Sequence, residues 1–190
     1  MDPIDKMARL QGWDKAPTVT DDLETFQKAA KQSGRVLFRS VHDNAYESGF
    51  SICQKTMTDG GALLGGSGGK AYGSGLYVVD TSIKGIQSGK PMSQSLSSGQ
   101  YESYFYGDKQ MMMTFHPSAK IATPSQTSSM ESAFYRLNSR DRARFGNDCN
   151  TYIASKGYDG AKHHSDSDQT AYTTVFNKSA LIFYSGVANK

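Results

Sequence analysis

Arg35-Val-Leu-Phe-Arg-Ser-Val41 is the stretch on which the reading of this chain turns. Its β-branched and aromatic residues predict a strand. Alternate residues of a strand share a face, so if Leu37 is buried, Arg39 and Val41 lie on the same buried face. An arginine on an inner face needs an anion, either a protein carboxylate or a ligand phosphate. Its planar fork also grips phosphate with two bonds. A plain salt-bridged arginine is the competing reading, and position alone does not separate the two. Upstream, Asp21 reads as an N-cap with Glu24 in a capping-box position. Leu23, Phe26, Ala29 and Ala30 share one helical face, and Gly34 ends that helix.

Downstream of the strand lies a glycine loop. Of the 19 glycines in 190 residues, eight fall in the 18 residues Asp59–Leu76. No packed element tolerates that density, and a loop of this length usually has a job. Gly65-Gly-Ser67-Gly-Gly69 fits the G-x-S-x-G nucleophile elbow, but that motif needs a buried strand before it and a helix after it. Only Ala62-Leu-Leu64 precedes, and Lys70-Ala-Tyr-Gly73 follows. Gly66-Ser-Gly68-Gly-Lys-Ala71 fits the dinucleotide fingerprint and lacks the same context. The P-loop pattern fails because Ala71 stands where Ser or Thr should bind Mg²⁺. Past the loop, Tyr72-Gly-Ser-Gly75-Leu-Tyr77-Val-Val79 leads into a short strand, Leu76–Val79. Its glycines let a ligand approach the backbone, and Tyr77 is either a ring for stacking or a core residue.

Composition bounds the rest. Lys and Arg number 21 against 18 Asp and Glu, a net charge of +3 that by itself argues for no nucleic-acid partner. No apolar run is long enough to span a membrane, and the acidic start Met-Asp-Pro-Ile-Asp-Lys6 is no signal peptide. Two cysteines, Cys53 and Cys149, make no disulfide framework, and no metal site is expected. A reducing cytoplasm suits the chain, including the cytoplasm of a target or host cell after delivery. A secreted toxin or injected phage protein would look the same. One domain is expected over residues 1–190, with 1–20 as a lead-in segment of short helix and connector.

The remaining elements read as follows. Tyr46–Met57 is a helix or irregular segment. Lys109–His116 is a strand ending at Pro117, with Met111-Met-Met113 as core filler. Ser129–Phe145 has helical spacing in Met130, Phe134 and Leu137, and carries Arg136, Arg140, Arg142 and Arg144. A solvated basic face is one reading of those arginines, and contact with an acidic or nucleic-acid target is the other. A helix spans Asp148–Ser155 and closes at Gly157. His163-His164 reads as part of a solvated polar loop. Thr170–Asn177 and Ala180–Tyr184 are strands joined by a tight Asn-Lys-Ser turn. Strands bracket helices without β-α-β alternation, which predicts an α+β fold.

Taken in order, these segments resemble the ADP-ribosyltransferase domain of bacterial toxins, effectors and some phage proteins, over nearly the whole chain. Gln11-Gly-Trp-Asp-Lys-Ala-Pro17 is similar to its lead-in, and Leu37-Phe-Arg39-Ser-Val41 to its first catalytic strand. Tyr72-Gly-Ser-Gly-Leu-Tyr77 resembles its Gly-x-Gly-x-Tyr-Phe motif, and Met112–Lys120 its middle strand. Gly157-Tyr-Asp-Gly160 and Val175-Phe-Asn177-Lys-Ser-Ala-Leu181 complete the series.

The resemblance implies a split pair of antiparallel sheets flanked by helices, with NAD⁺ as substrate in the cleft between them. It implies a glycosyltransferase that releases nicotinamide and modifies a macromolecular acceptor, protein or nucleic acid. Arg39 with Ser40 would hold the phosphates and nicotinamide ribose, Gly73 and Gly75 would admit the nicotinamide, and Tyr77 would stack on it. A monomer is expected, with an immunity protein as a further partner of a toxin. The family usually places a glutamate on its last catalytic strand, five residues before the asparagine. Here Tyr172 stands in that place, and no acid lies in Gln169–Asn177. Asp168 or Gln169 in a shifted loop, or Gln169 or Tyr172 as a neutral polar contact, would then face the ribose. The alternative is a catalytically inactive domain of the same fold, kept as a binding module in a phage or partner complex. Asp166 and Asp159 are the other nearby acids.

Overall fold

The computed structural model describes residue 13 and residues 15–41, 74–82, 109–167 and 170–188. Among these residues are eight strands: β1 Thr18–Thr20, β2 Arg35–Val41, β3 Leu76–Ser82, β4 Lys109–Phe115, β5 Ile121–Ala122, β6 Gly160–Ser167, β7 Thr170–Val175 and β8 Leu181–Ala188. Four α-helices accompany them: α1 Leu23–Ser33, α2 Pro124–Arg136, α3 Ser139–Ala143 and α4 Cys149–Ala154. The chain is α+β, with one mixed sheet in the order β1-β8-β4-β2-β3-β7-β6-β5. The outer pairs β1–β8 and β5–β6 are parallel, and the inner neighbours are antiparallel.

The sheet is curled, and its two halves share one core. Leu37, Met111, Met113, Phe115, Leu181 and Phe183 from one half meet Val78 and Val175 from the other. Helix α1 covers the outer face of the first half through Phe26 and Ala30, against Val36, Phe38, Met112 and Ile182. Trp13, Ile153, Ala154 and Phe176 cover Ala161 and Ala122 on the second half. The three methionines of β4 are all buried because both faces of that strand are covered. This is the usual fate of a continuous apolar run in a strand.

The two separate antiparallel sheets implied by the resemblance are thus one continuous sheet. The join is short. Arg35, Val36, Leu37 and Phe38 pair with Ser82, Thr81, Asp80 and Val79, and the ladder stops there. A polar knot reinforces it. Asp80 is fully buried and accepts from Arg35 Nε. Arg35 Nη2 also donates to the Asp80 carbonyl at 2.7 Å, Lys162 Nζ lies 3.0 Å from Oδ2, and Thr173 Oγ1 donates at 3.1 Å. A buried carboxylate is tolerable when it is this fully partnered.

Several expectations shift. The α1 cap is Asp22 rather than Asp21, so Glu24 is not at the capping-box position. Bonds from Thr25, the side-chain one foremost, hold the Asp22 carboxyl below its usual range. Residues Thr18–Thr20 form a strand, not part of a helix and connector. The helical stretch expected over 129–145 is two helices. A capping box of Thr123 and Gln126 starts α2 earlier, and extended backbone at Leu137 and Asn138 breaks it. Asn138 then caps α3, its Oδ1 accepting from Asp141 N at 2.9 Å.

The last two strands follow one another across the expected short turn but do not pair. β7 lies between β3 and β6, whereas β8 lies between β1 and β4. The Asn-Lys-Ser stretch is a 3₁₀ turn over Lys178–Ala180 that carries the chain from one half to the other. The segments Tyr46–Met57 and Gly60–Gly73 lie outside the described residues.

Candidate functional site

The end of the β2–β3 ladder marks the site. Past Phe38↔Val79, β2 continues only with β4, through Arg39↔Met111, Ser40↔Gln110 and Val41↔Lys109. On the other side, Leu76, Tyr77 and Val78 continue only with β7. The two strands therefore part at Arg39 and Val78, and the sheet opens there.

Arg39 stands at this opening, on the inner face that it shares with Leu37. Its Nη1 reaches across and donates to the Tyr77 carbonyl at 3.1 Å. Its Nε is buried and has no hydrogen-bond partner among the described residues. An orphaned guanidinium nitrogen is costly, and an acceptor that enters the opening would relieve the cost. The inner face nearby is cationic. Among the described residues Arg35, Arg39 and Lys162 stand there against Asp80 alone, a surplus of two positive charges. Lys162 pairs with Thr173, and Thr173 with Val78, the residue where the strands part.

The wall opposite Arg39 is fastened from a distance. Asp148, the N-cap of α4, accepts from Ser74 N at 2.9 Å and from Thr151 N at 2.9 Å. Asn150 Nδ2 donates back to the Ser74 carbonyl at 2.9 Å. Both backbone groups of Ser74 are thus fixed by side chains 74 and 76 residues away. This clamp sets the start of β3, and the spacing in the sequence holds no signal of it.

Gly75 is a glycine for a structural reason. Its φ is +138°, and an added Cβ would lie 2.3 Å from Thr174 Cγ2 and 3.0 Å from the Val175 carbonyl. Its bare Cα is therefore occupied by β7. Tyr77 is half-buried and pairs with Thr174. Val78 faces the inner core, so alternation puts the Tyr77 ring on the other face of β3. The structure brings Arg39 to the carbonyl of Tyr77.

Of the other predicted residues, Tyr172 stands in β7 opposite Val79, and Ser40 in β2 opposite Gln110; their side chains lie outside the described part. Gly73, Asp168 and Gln169 lie outside the described residues. β7 starts at Thr170, opposite Thr81 at the closed end of the β2–β3 ladder, and runs toward the opening, where Thr173 pairs with Val78.

Asp159 is committed elsewhere. Its carboxylate accepts from Lys120 N at 2.9 Å and from Asn177 Nδ2 at 2.7 Å, and its carbonyl accepts from Phe176 N at 2.8 Å. It locks the crossover between the halves. His163 is not in a solvated loop. It lies in β6 with a side chain 2% exposed. Its Nε2 is 2.9 Å from Thr174 Oγ1, and its Nδ1 is 3.4 Å from Glu131 Oε1. It therefore braces the residue that packs against Gly75.

Burial pushes the Cys149 thiol up to about 12, with the charges of Glu131 and Asp148 adding to the effect. That is the profile of an inert thiol. Among the described residues no group of three His, Cys, Asp or Glu side chains could hold a metal ion, and no helix is long and apolar enough to cross a membrane. Compared with known protein families, with curated proteins and with solved structures, the chain matches none.

Proposed function

We propose that this chain is a mono-ADP-ribosyltransferase that takes NAD⁺ as substrate in the opening between β2 and β3. The observation that carries this reading is Arg39. It is an arginine at the point where the sheet parts, with Nη1 on the opposite wall and Nε buried without a partner among the described residues. A pyrophosphate brings two negative charges, which match the surplus on the inner face. An anion in such a low-dielectric setting binds far better than in water. The order of sequence segments that resembles the transferase domain supports the same reading. So does the α+β architecture, whose two halves share a core and part at one end.

The reaction asks little of the protein beyond positioning and charge. The bond between nicotinamide and ribose C1′ breaks, and its electron pair leaves with nicotinamide. Positive charge builds on the ribose, as in glycoside cleavage. An acceptor nucleophile attacks C1′ and gives up its proton. Arg39 orients the phosphate end, and the sequence offers Asp168, Gln169 or Tyr172 for the polar contact to the ribose. Such preorganised contacts are typically worth roughly 10²–10³ in rate each.

The test is release of nicotinamide from NAD⁺, together with the intact mass of candidate acceptors. Free nicotinamide and an added ADP-ribose are expected. The variants Asp168→Asn, Gln169→Ala and Tyr172→Phe show which residue faces the ribose. NAD⁺ that binds without turnover would reassign the chain to an inactive binding module of the same fold.

A further inference from the structure

We infer that the corner formed by the end of α2 and by α3 is a docking surface for single-stranded nucleic acid. Within Tyr135–Asn147 four arginines, Arg136, Arg140, Arg142 and Arg144, face a single acid, Asp141. The surplus of +3 equals the net charge of the whole chain, so the charge is concentrated here rather than spread. Arg136, Arg140 and Arg144 are exposed, and Arg144 is 76% so. Arg140 and Arg144 are one helical turn apart and project from the same side of α3. The Arg142 side chain has a buried Nε with no hydrogen-bond partner among the described residues. Asp141 offsets little, because one of its oxygens accepts from Asn138 Nδ2 at 2.8 Å and the other lies 3.6 Å from Arg144 Nη1.

The patch has a second component. Tyr135, the residue before the first arginine, is 66% exposed, although its neighbour Phe134 is buried. An exposed aromatic ring beside clustered arginines is what unpaired bases stack upon, while the arginines follow the phosphates. A duplex hides its base faces and has no use for the ring. An acidic peptide would be attracted by the arginines alone. The pairing of ring and charge therefore favours a single strand.

The corner also lies near the candidate site. Asp148 is four positions after Arg144, at most about 14 Å away. Asp148 holds Ser74 at the mouth of β3. The corner thus adjoins the clamp that sets the start of β3, the strand that walls the opening. A docked strand's role as acceptor rests on the transferase reading, whereas its binding does not.

The experiment uses the full chain without NAD⁺. Fluorescence anisotropy of labelled 12-nucleotide oligo-dT and oligo-U is followed from 50 to 200 mM salt. Binding is expected with a log–log salt slope of roughly −2 to −3, as three or four phosphate contacts require. Arg140→Gln/Arg144→Gln should flatten that slope by about 1.4. Tyr135→Ala should weaken binding roughly 5- to 100-fold at unchanged slope. These positions are exposed, so the variants should keep the wild-type circular dichroism and urea midpoint. Three results would overturn the inference: no binding at 50 mM salt, binding indifferent to these variants, or equal binding of a 12-base-pair duplex. Polyglutamate competing as well as oligo-dT would also overturn it and assign the corner to an acidic protein. Nicotinamide release is scored separately, so failure of either reading leaves the other legible.

Discussion

Gly75→Ala tests whether β7 or a ligand demands the glycine. The added Cβ would meet Thr174 Cγ2 at 2.3 Å, the Val175 carbonyl at 3.0 Å and Phe176 Cδ1 at 3.3 Å. None of these yields easily. Thr174 is fully buried and its hydroxyl is tied to His163 Nε2 at 2.9 Å, while the carbonyl is main chain. Overpacking of a close-packed site costs about 1–3 kcal/mol. The φ of +138° adds strain of about 1–3 kcal/mol for any L side chain. The sum, about 2–6 kcal/mol, is a large part of a domain's usual stability of about 5–15 kcal/mol. Urea unfolding followed by the single tryptophan, Trp13, which is 2% exposed, reads this directly. In Gly75→Ala/Thr174→Ser the clashing methyl is gone, so most of the packing part should be recovered, while the close approach to the Val175 carbonyl and the φ part are retained. The two changes should couple by about 1 kcal/mol or more. A Gly75→Ala protein within about 0.5 kcal/mol of wild type, or a cycle with no coupling, refutes the packing argument. A stable variant that had lost NAD⁺ affinity would return the glycine to the ligand.

Other expectations follow from the buried polar network. Asp80→Asn keeps the shape but leaves Arg35 and Lys162 facing a neutral group; a loss of about 3 kcal/mol in urea unfolding is expected. Wild-type stability would mean the knot does not hold the join. Asp159→Ala removes the acceptor for Lys120 N and Asn177 Nδ2, and should cost about 2–3 kcal/mol and loosen the crossover to proteolysis. A variant as protease-resistant as wild type would contradict it. Cys149, with its thiol at about 12, should react with iodoacetamide at pH 8 orders of magnitude more slowly in folded Cys53→Ser protein than in urea. Equal rates would show that the thiol is not shielded.

What the sequence made legible follows a physical line. β2 could be read because Gly34, the apolar run and Arg39 within it are all local signals. Its bounds and the burial of Leu37 agree with the structure. β4 with its three methionines was equally plain. β6 was not, because Lys162-His-His-Ser-Asp-Ser167 carries no apolar alternation. Its pairing with β7 and the burial of His163 come from tertiary contacts. The break between α2 and α3 was available in Asn138, a good cap, but the helical spacing of Phe134 and Leu137 outweighed it. The last two strands carry hairpin chemistry at their turn, yet Asp159 captures Asn177 and sends the chain across to the other half. At the site, Arg39 was visible as a buried cation. The Asp148–Ser74–Asn150 clamp and the packing demand on Gly75 were invisible, since both join residues 74 or more positions apart.

The transferase reading stands or falls on whether the opening at Arg39 holds NAD⁺. Its most direct test is a calorimetric titration of the full chain with NAD⁺, repeated on Arg39→Gln. Wild type should bind, and the variant should bind roughly 10- to 100-fold more weakly, as loss of a charge-assisted contact to phosphate requires. Wild-type protein that fails to bind millimolar NAD⁺, or an Arg39→Gln protein that binds it equally well, would contradict the account.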